Sequence, residues 1–215
     1  MFEAFVAGLL LITISELGDK TFFIAVILAT RQRRSLVFIG VVSALAVMTV
    51  ISVLMGQVAT LLPPHYIRYA EIGLFLAFGF NLLIQGCRMS NASCDRVCEE
   101  AGEAIAQAEG HMAKQPTNLA VILQTFGLTF LAEWGDRTQI ATIGLAASKN
   151  AIGVTLGAVL GHAICAAIAV VGGKLIAGRI SEKVLTLMGG ALFLIFALLA
   201  IVNLGGEPGI AQMDA

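Results

Sequence analysis

Ser15-Glu16-Leu17-Gly18-Asp19-Lys20-Thr21 lies in the middle of a long apolar run, and it returns as Ala132-Glu133-Trp134-Gly135-Asp136-Arg137-Thr138 in the middle of another. Both copies read E-x-G-D-[K/R]-T. An acidic side chain at the centre of a bilayer costs roughly 2.5–3.5 kcal/mol on insertion scales, so acids kept there mark an ion or proton path by default. On a helical wheel, Glu16, Asp19 and Lys20 fall on one face within about 60°, with Gly18 opposite, and the second copy repeats the pattern. Thr21 and Thr138 fall about 140° from the glutamates, so ligation by their hydroxyls requires local unwinding. Gly18 and Gly135 permit unwinding; they equally permit close packing of helices.

The rest of the composition fits a membrane setting. Of 215 residues, 58% are hydrophobic and 13% charged, against about 25% charged in soluble domains. A net charge of −1 implies neither nucleic acid nor an acidic partner. The first residues lack a basic n-region and a small-residue cleavage site, so the first apolar run is expected to stay as a span. Six runs are long enough to cross a bilayer: about Phe5–Thr30, Leu36–Leu62, Ile67–Gly86, Asn118–Ala147, Ile152–Ala177 and Val184–Leu204. Pro63-Pro64 closes the second. The expected fold is an all-α integral membrane protein.

The halves match without a gap. The offset of 117 that relates Glu16 to Glu133 also pairs Asp19 with Asp136, Thr21 with Thr138, Gly40 with Gly157, Gly56 with Gly173 and Gly73 with Gly190. Aligned charges and glycines are not cheap coincidences, so the chain reads as two three-helix repeats, residues 1–86 and 118–215, joined by a linker over 87–117. Three is odd, so the repeats must be inverted relative to each other, with a binding site where they meet near the midplane. Lys and Arg concentrate in the odd loops, nine against two in the even ones. The linker is therefore expected in the cytoplasm and both termini on the other side.

Within the linker, Val97, Ala101, Ile105 and Ala108 recur at helical spacing beside Asp95, Glu99, Glu100, Glu103 and Glu109. This predicts a short amphipathic helix in a solvated connector rather than an ion-gathering arm. Cys94 and Cys98 with His111 lack C-x2-C spacing and an evident fourth ligand, so reduced thiols fit better than a zinc site. Cys165 reads as a packing residue, and so does Trp134. His162, in the fifth run, is a possible proton relay, with a packing histidine the plainer reading. Gln124, Gln139, Ser43, Asn81 and Gln85 line a pathway or bridge helices.

Inversion would bring Glu16, Asp19, Glu133 and Asp136 together. Four carboxylates against Lys20 and Arg137 leave two negative charges, which one divalent cation or two protons would neutralise. Metal and protons would then compete for one set of oxygens. A purely structural role as ion pairs Glu16–Lys20 and Glu133–Arg137 leaves the two aspartates without partners. Oxygen donors suit Mn²⁺, Ca²⁺ and Mg²⁺, and no Cys or Met lies in either motif to recruit copper.

On these residues the chain resembles the Golgi-type calcium/manganese–proton exchanger family, whose signature is the doubled E-x-G-D-[K/R]-[T/S] motif in inverted three-helix repeats. The resemblance covers essentially the whole chain. It implies that Glu16, Asp19, Glu133 and Asp136 are metal ligands, with Lys20, Thr21, Arg137 and Thr138 in support. It also implies manganese export, as in small bacterial members, with calcium next, from a bacterial inner membrane. The expected partners are the lipid bilayer, divalent cations and protons; no resident cofactor is expected, and a homo-oligomer is compatible with the sequence. The rivals are a proton-coupled exporter of small organic solutes such as basic amino acids, and a passive cation channel. No nucleophile–base constellation or cofactor motif points to an enzyme.

Overall fold

A computed structural model describes residues 1–89, 99, 101–106, 117–176 and 182–205. Among the described residues the regular structure is helical: α1 (Phe2–Glu16), α2 (Lys20–Arg31), α3 (Arg34–Ala59), α4 (Pro64–Arg88), α5 (Asn118–Glu133), α6 (Arg137–Ser148), α7 (Ala151–Ile176) and α8 (Glu182–Gly205). Four of these, α3, α4, α7 and α8, are long and apolar enough to cross a membrane. They coincide with four of the six expected spans. The other two expected spans are each divided into a pair of shorter helices, α1 with α2 and α5 with α6, and the division falls on the motif both times. Pro64 opens α4 at its first position, where the missing N–H has no intrahelical role.

Helix α1 packs chiefly on α7, α3 on α5, α6 and α7, and α4 on α8. Each divided segment thus lies against the middle helix of the other half. Small residues allow these approaches. A Cβ on Gly40 would stand 3.0 Å from the Ile122 carbonyl oxygen, and one on Gly157 would collide with that of Phe5. Gly40 with Gly157, and Phe5 with Ile122, are each one repeat offset apart, so two equivalent contacts are built by equivalent residues. Gly79 and Gly190 meet where α4 crosses α8: a Cβ on Gly79 would stand 3.2 Å from the Gly190 carbonyl oxygen. Gly73 aligns with Gly190 in sequence but has nothing within 4 Å of a Cβ, so that pair shares no common packing role.

Two apolar clusters flank the motifs. One gathers Phe22, Ile24 and Leu28 of α2 with Val37 and Val41 of α3 and Val170 of α7, with Leu128 and Ala132 of α5 at its edge. The other gathers Ala4, Ala7 and Leu11 of α1 with Phe75 of α4, Leu145 of α6 and Phe193 of α8. The first divided segment therefore passes from the second cluster to the first, and the second segment passes from the first to the second.

The linker departs from the expectation of a solvated connector. Ala101 and Ile105 are fully buried in the first cluster, while Glu99 and Glu103 are exposed. The four-residue spacing that suggested an amphipathic helix has found an apolar partner surface on the bundle. Val97, Ala108, Cys94, Cys98, His111, Asp95, Glu100 and Glu109 lie outside the described residues.

The glycine contacts give a direct test. Gly157→Ala should destabilise the detergent-purified protein by about 1–3 kcal/mol, since the added methyl meets backbone that must shift. Gly73→Ala, into open space, should leave the thermal midpoint unchanged or slightly raised.

Candidate metal site

The two motifs adopt almost the same backbone. Leu17 has φ −63° and ψ 115°, and Trp134 has φ −67° and ψ 115°. Gly18 and Gly135 follow with φ of +81° and +80°. The Asp19 N–H donates to the Glu16 carbonyl and the Asp136 N–H to that of Glu133, both at 3.2 Å. These are type II β-turns, whose third residue needs positive φ and hence glycine. Close packing does not explain the glycines. A Cβ on Gly135 would meet nothing within 4 Å, and one on Gly18 would meet only the flexible end of Leu185. The Asp that closes each turn is then the N-cap of the next helix.

The helical-wheel reading is corrected accordingly. Asp19 and Lys20 are not one helical turn from Glu16, because the chain leaves the helix between them; the same holds in the second motif. The Glu–Lys and Glu–Arg pairs are therefore not helical i,i+4 neighbours. Glu16, Asp19 and Glu133 come together instead across the two turns, not along one helix face. Glu16 and Glu133 are buried, each 2% exposed. Glu16, Asp19 and Glu133 each offer one oxygen, all within 4.8 Å of one another.

Asp136 stands apart from this trio. Its Oδ1 accepts the Gln139 N–H at 2.7 Å, and its Oδ2 accepts the Thr138 hydroxyl at 2.7 Å and the Thr138 N–H at 3.2 Å. Asp19, its counterpart, makes no capping bond and lies 3.7 Å from a guanidinium nitrogen of Arg137. The Thr21 hydroxyl donates to Glu16 Oε2 at 3.3 Å, and that of Thr138 lies 3.5 Å from Glu133 Oε2. The remaining oxygens, Glu16 Oε1 and Glu133 Oε1, are buried without a hydrogen-bond partner. A buried charged oxygen left so costs more than the roughly 1–3 kcal/mol of a neutral group, and a cation or a proton removes that cost.

A cavity of about 150 Å³ reaches Asp19 and Arg137 from the linker side, bordered by Gln85, Met89 and Thr186. A compartment of about 10 Å³ adjoins Glu133 and Asp136 on the other half and includes His162. Gln139 has a role that sequence reasoning left open. Its Oε1 accepts the Gly135 N–H at 2.7 Å and its Nε2 reaches Met48 Sδ at 2.9 Å, tying the second turn to α3. The signal was present: the residue one offset earlier is Phe22, so the halves differ in polarity at this point. Ser43 donates to Gly40 O within its own helix and Gln85 to Asn81. Trp134 packs on Phe130 but is 59% exposed, so it faces out of the bundle. Cys165 is buried and donates to Thr13 O, as a packing thiol does.

The family model of the divalent cation/proton antiporter GDT1 matches the chain twice, over residues 4–90 and 121–207, the repeat offset again. A GDT1-like protein of the cyanobacterium Synechocystis is 58% identical over 93% of the chain and 97% of its own length. GDT1-like protein 4 of Oryza sativa is 43% identical over 92% of the chain and 73% of its own length. A chloroplastic PAM71 homologue of Arabidopsis thaliana is 37% identical over 91% and 58%. No solved structure matches.

The backbone requirement at the turn can be isolated at Gly135, where added side-chain atoms find free space. Gly135→Ala should strain the turn by about 1–2 kcal/mol and weaken divalent-cation binding, and Gly135→Asn, which tolerates this region better, should be milder. Cation titration of the purified variants checks the order Gly, Asn, Ala.

Proposed function

The chain belongs to the GDT1 family of divalent cation/proton antiporters, and from that premise we propose that it exports Mn²⁺, with Ca²⁺ the next-best cargo, from the cytoplasm in exchange for protons. The observation that carries the reading is the trio of carboxylate oxygens from both motifs within 4.8 Å. Two oxygens on one ion can be no further apart than twice the bond length, about 4.6–5.2 Å for Ca²⁺ at 2.3–2.6 Å. The trio lies near that outer limit, so its side chains draw together to hold one cation. Asp136 completes the set when its capping bonds open.

The exchange follows from charge. In a low-dielectric site the carboxylates require either a divalent ion or protons. Mn²⁺ arriving expels protons; protons arriving expel Mn²⁺. Neither loaded form leaves a large buried charge. Lys20 and Arg137 offset part of the negative charge, and Thr21 and Thr138 orient the glutamates.

The path is read from the same features. The opposite order in which the divided segments cross the two apolar clusters supports inverted repeats of three spans each, with α1–α2 and α5–α6 as discontinuous spans. The equivalent Gly40 and Gly157 contacts support it further. Positive loop charges put the linker and its neighbouring cavity in the cytoplasm and both termini across the membrane. In this conformation the site then loads from the cytoplasm through the cavity at Asp19. The organic-solute exporter has no support from the family or the site.

Purified protein in liposomes, with a Mn²⁺-quenched dye and an imposed pH gradient, tests the reading. Mn²⁺ should move against the proton flow, and Asp19→Asn or Glu133→Gln should abolish movement. Mn²⁺ flux that ignores the pH gradient would point to a channel, and normal transport by either variant would remove the ligand assignment. At equilibrium, Mn²⁺ affinity should fall on acidification, about tenfold per pH unit for each proton released.

A further inference from the structure

Arg137 is the first residue of α6, the helix end at which a positive charge is unfavourable. Its helical setting therefore gives no reason for a cation there. The root of the side chain is fixed, because Asp136 just before it accepts the Thr138 and Gln139 N–H groups. From this rigid turn the side chain reaches the other half of the chain, where Nη2 lies 3.7 Å from Asp19 Oδ1. The two side chains are 38% and 31% exposed. An ion pair that open to solvent adds little to stability, so a staple between the halves does not account for it.

The pair stands at the entrance to the carboxylate trio. Asp19 and Arg137 both line the linker-side cavity of about 150 Å³, and neither Glu16 nor Glu133 does. Asp19 makes no capping bond, so its oxygens are not committed to the backbone of α2. A cation that enters by this cavity meets Asp19 with a guanidinium already beside it. A guanidinium stays protonated in proteins, so it vacates Asp19 only by moving, never by losing its charge.

We propose that Arg137 is a tethered competitor of the transported cation: its guanidinium occupies Asp19 while the site is empty, gives way when a divalent ion binds, and returns to help expel that ion. The inference rests on the reading that the trio holds the transported ion. It also screens cargo by valence. A monovalent ion at Asp19 would only replace one unit charge with another, whereas a divalent ion brings a second charge to Glu16 and Glu133.

The full-length purified protein, titrated with Mn²⁺ and with the trivalent oxygen-seeking ion Tb³⁺, provides the test. Coulomb energy scales with the charge of the ion, and a unit charge about 6 Å from a divalent ion in a water-like dielectric opposes its binding about tenfold. Arg137→Gln should therefore bind Mn²⁺ about tenfold and Tb³⁺ about thirtyfold more tightly than the wild type. In liposomes the same variant should show a lower KM for Mn²⁺ and a lower maximal rate, because release is slowed. Arg137→Lys installs the residue that the first motif carries at this place; it keeps the charge and should stay within about threefold of the wild type for both ions. Weaker or unchanged Mn²⁺ binding by Arg137→Gln at a normal thermal midpoint, no larger gain for Tb³⁺, or an equal gain in Arg137→Lys would overturn the competitor and leave the exporter standing. Where Arg137→Gln does not fold, labelling of Arg137 in the wild type by phenylglyoxal, read by mass spectrometry, decides instead. Saturating Mn²⁺ should speed that labelling, and an unchanged or slower rate would overturn the competitor. Wild-type protein that binds neither Mn²⁺ nor Ca²⁺ would overturn the exporter as well.

Discussion

Glu16 and Glu133, from different halves of the chain, are buried, each 2% exposed, and offer oxygens within 4.8 Å of one another. Glu16 and Glu133 each have one oxygen on a threonine hydroxyl, or near it, and one oxygen on nothing. In low dielectric such a pair cannot remain ionised and empty. The rest of the architecture can be understood as what it takes to maintain that condition. The helices must stop so that the acids can turn inward, the stop must fall at the same depth in both halves, and the surrounding packing must be tight enough to exclude water elsewhere. The two type II turns meet the first requirement. The glycine contacts between α1 and α7 and between α3 and α5 meet the last.

Much of this was legible in the sequence because charge is scarce in this apolar chain and charges and glycines that align at one offset are not a cheap coincidence. The doubled motif, its offset of 117 and the pairing of Gly40 with Gly157 are visible without coordinates, and the double match to the family model follows the same offset. The helix break was less legible. An E-x-G-D sequence in the middle of an apolar run is compatible with a continuous helix carrying a glycine, at a cost of about 1 kcal/mol. What decides for the turn is the positive φ at Gly18 and Gly135, and sequence alone cannot distinguish a glycine chosen for its dihedral from one chosen for its size. The burial of Ala101 and Ile105 was hidden for a different reason. Periodicity reports that a helix has an apolar face, but not which surface receives it.

The halves are similar in backbone and different in bonding. Asp136 is fully engaged as a helix cap, whereas Asp19 makes no capping bond and faces Arg137. Gln139 braces one turn, and Phe22 stands at the equivalent place in the other. For a proposed exchanger built from inverted repeats this difference has a consequence. If both halves were bonded identically, the site would be equally open or closed to both sides. One half held tight and the other loose produces a single accessible face, and here the loose half is the one beside the linker-side cavity.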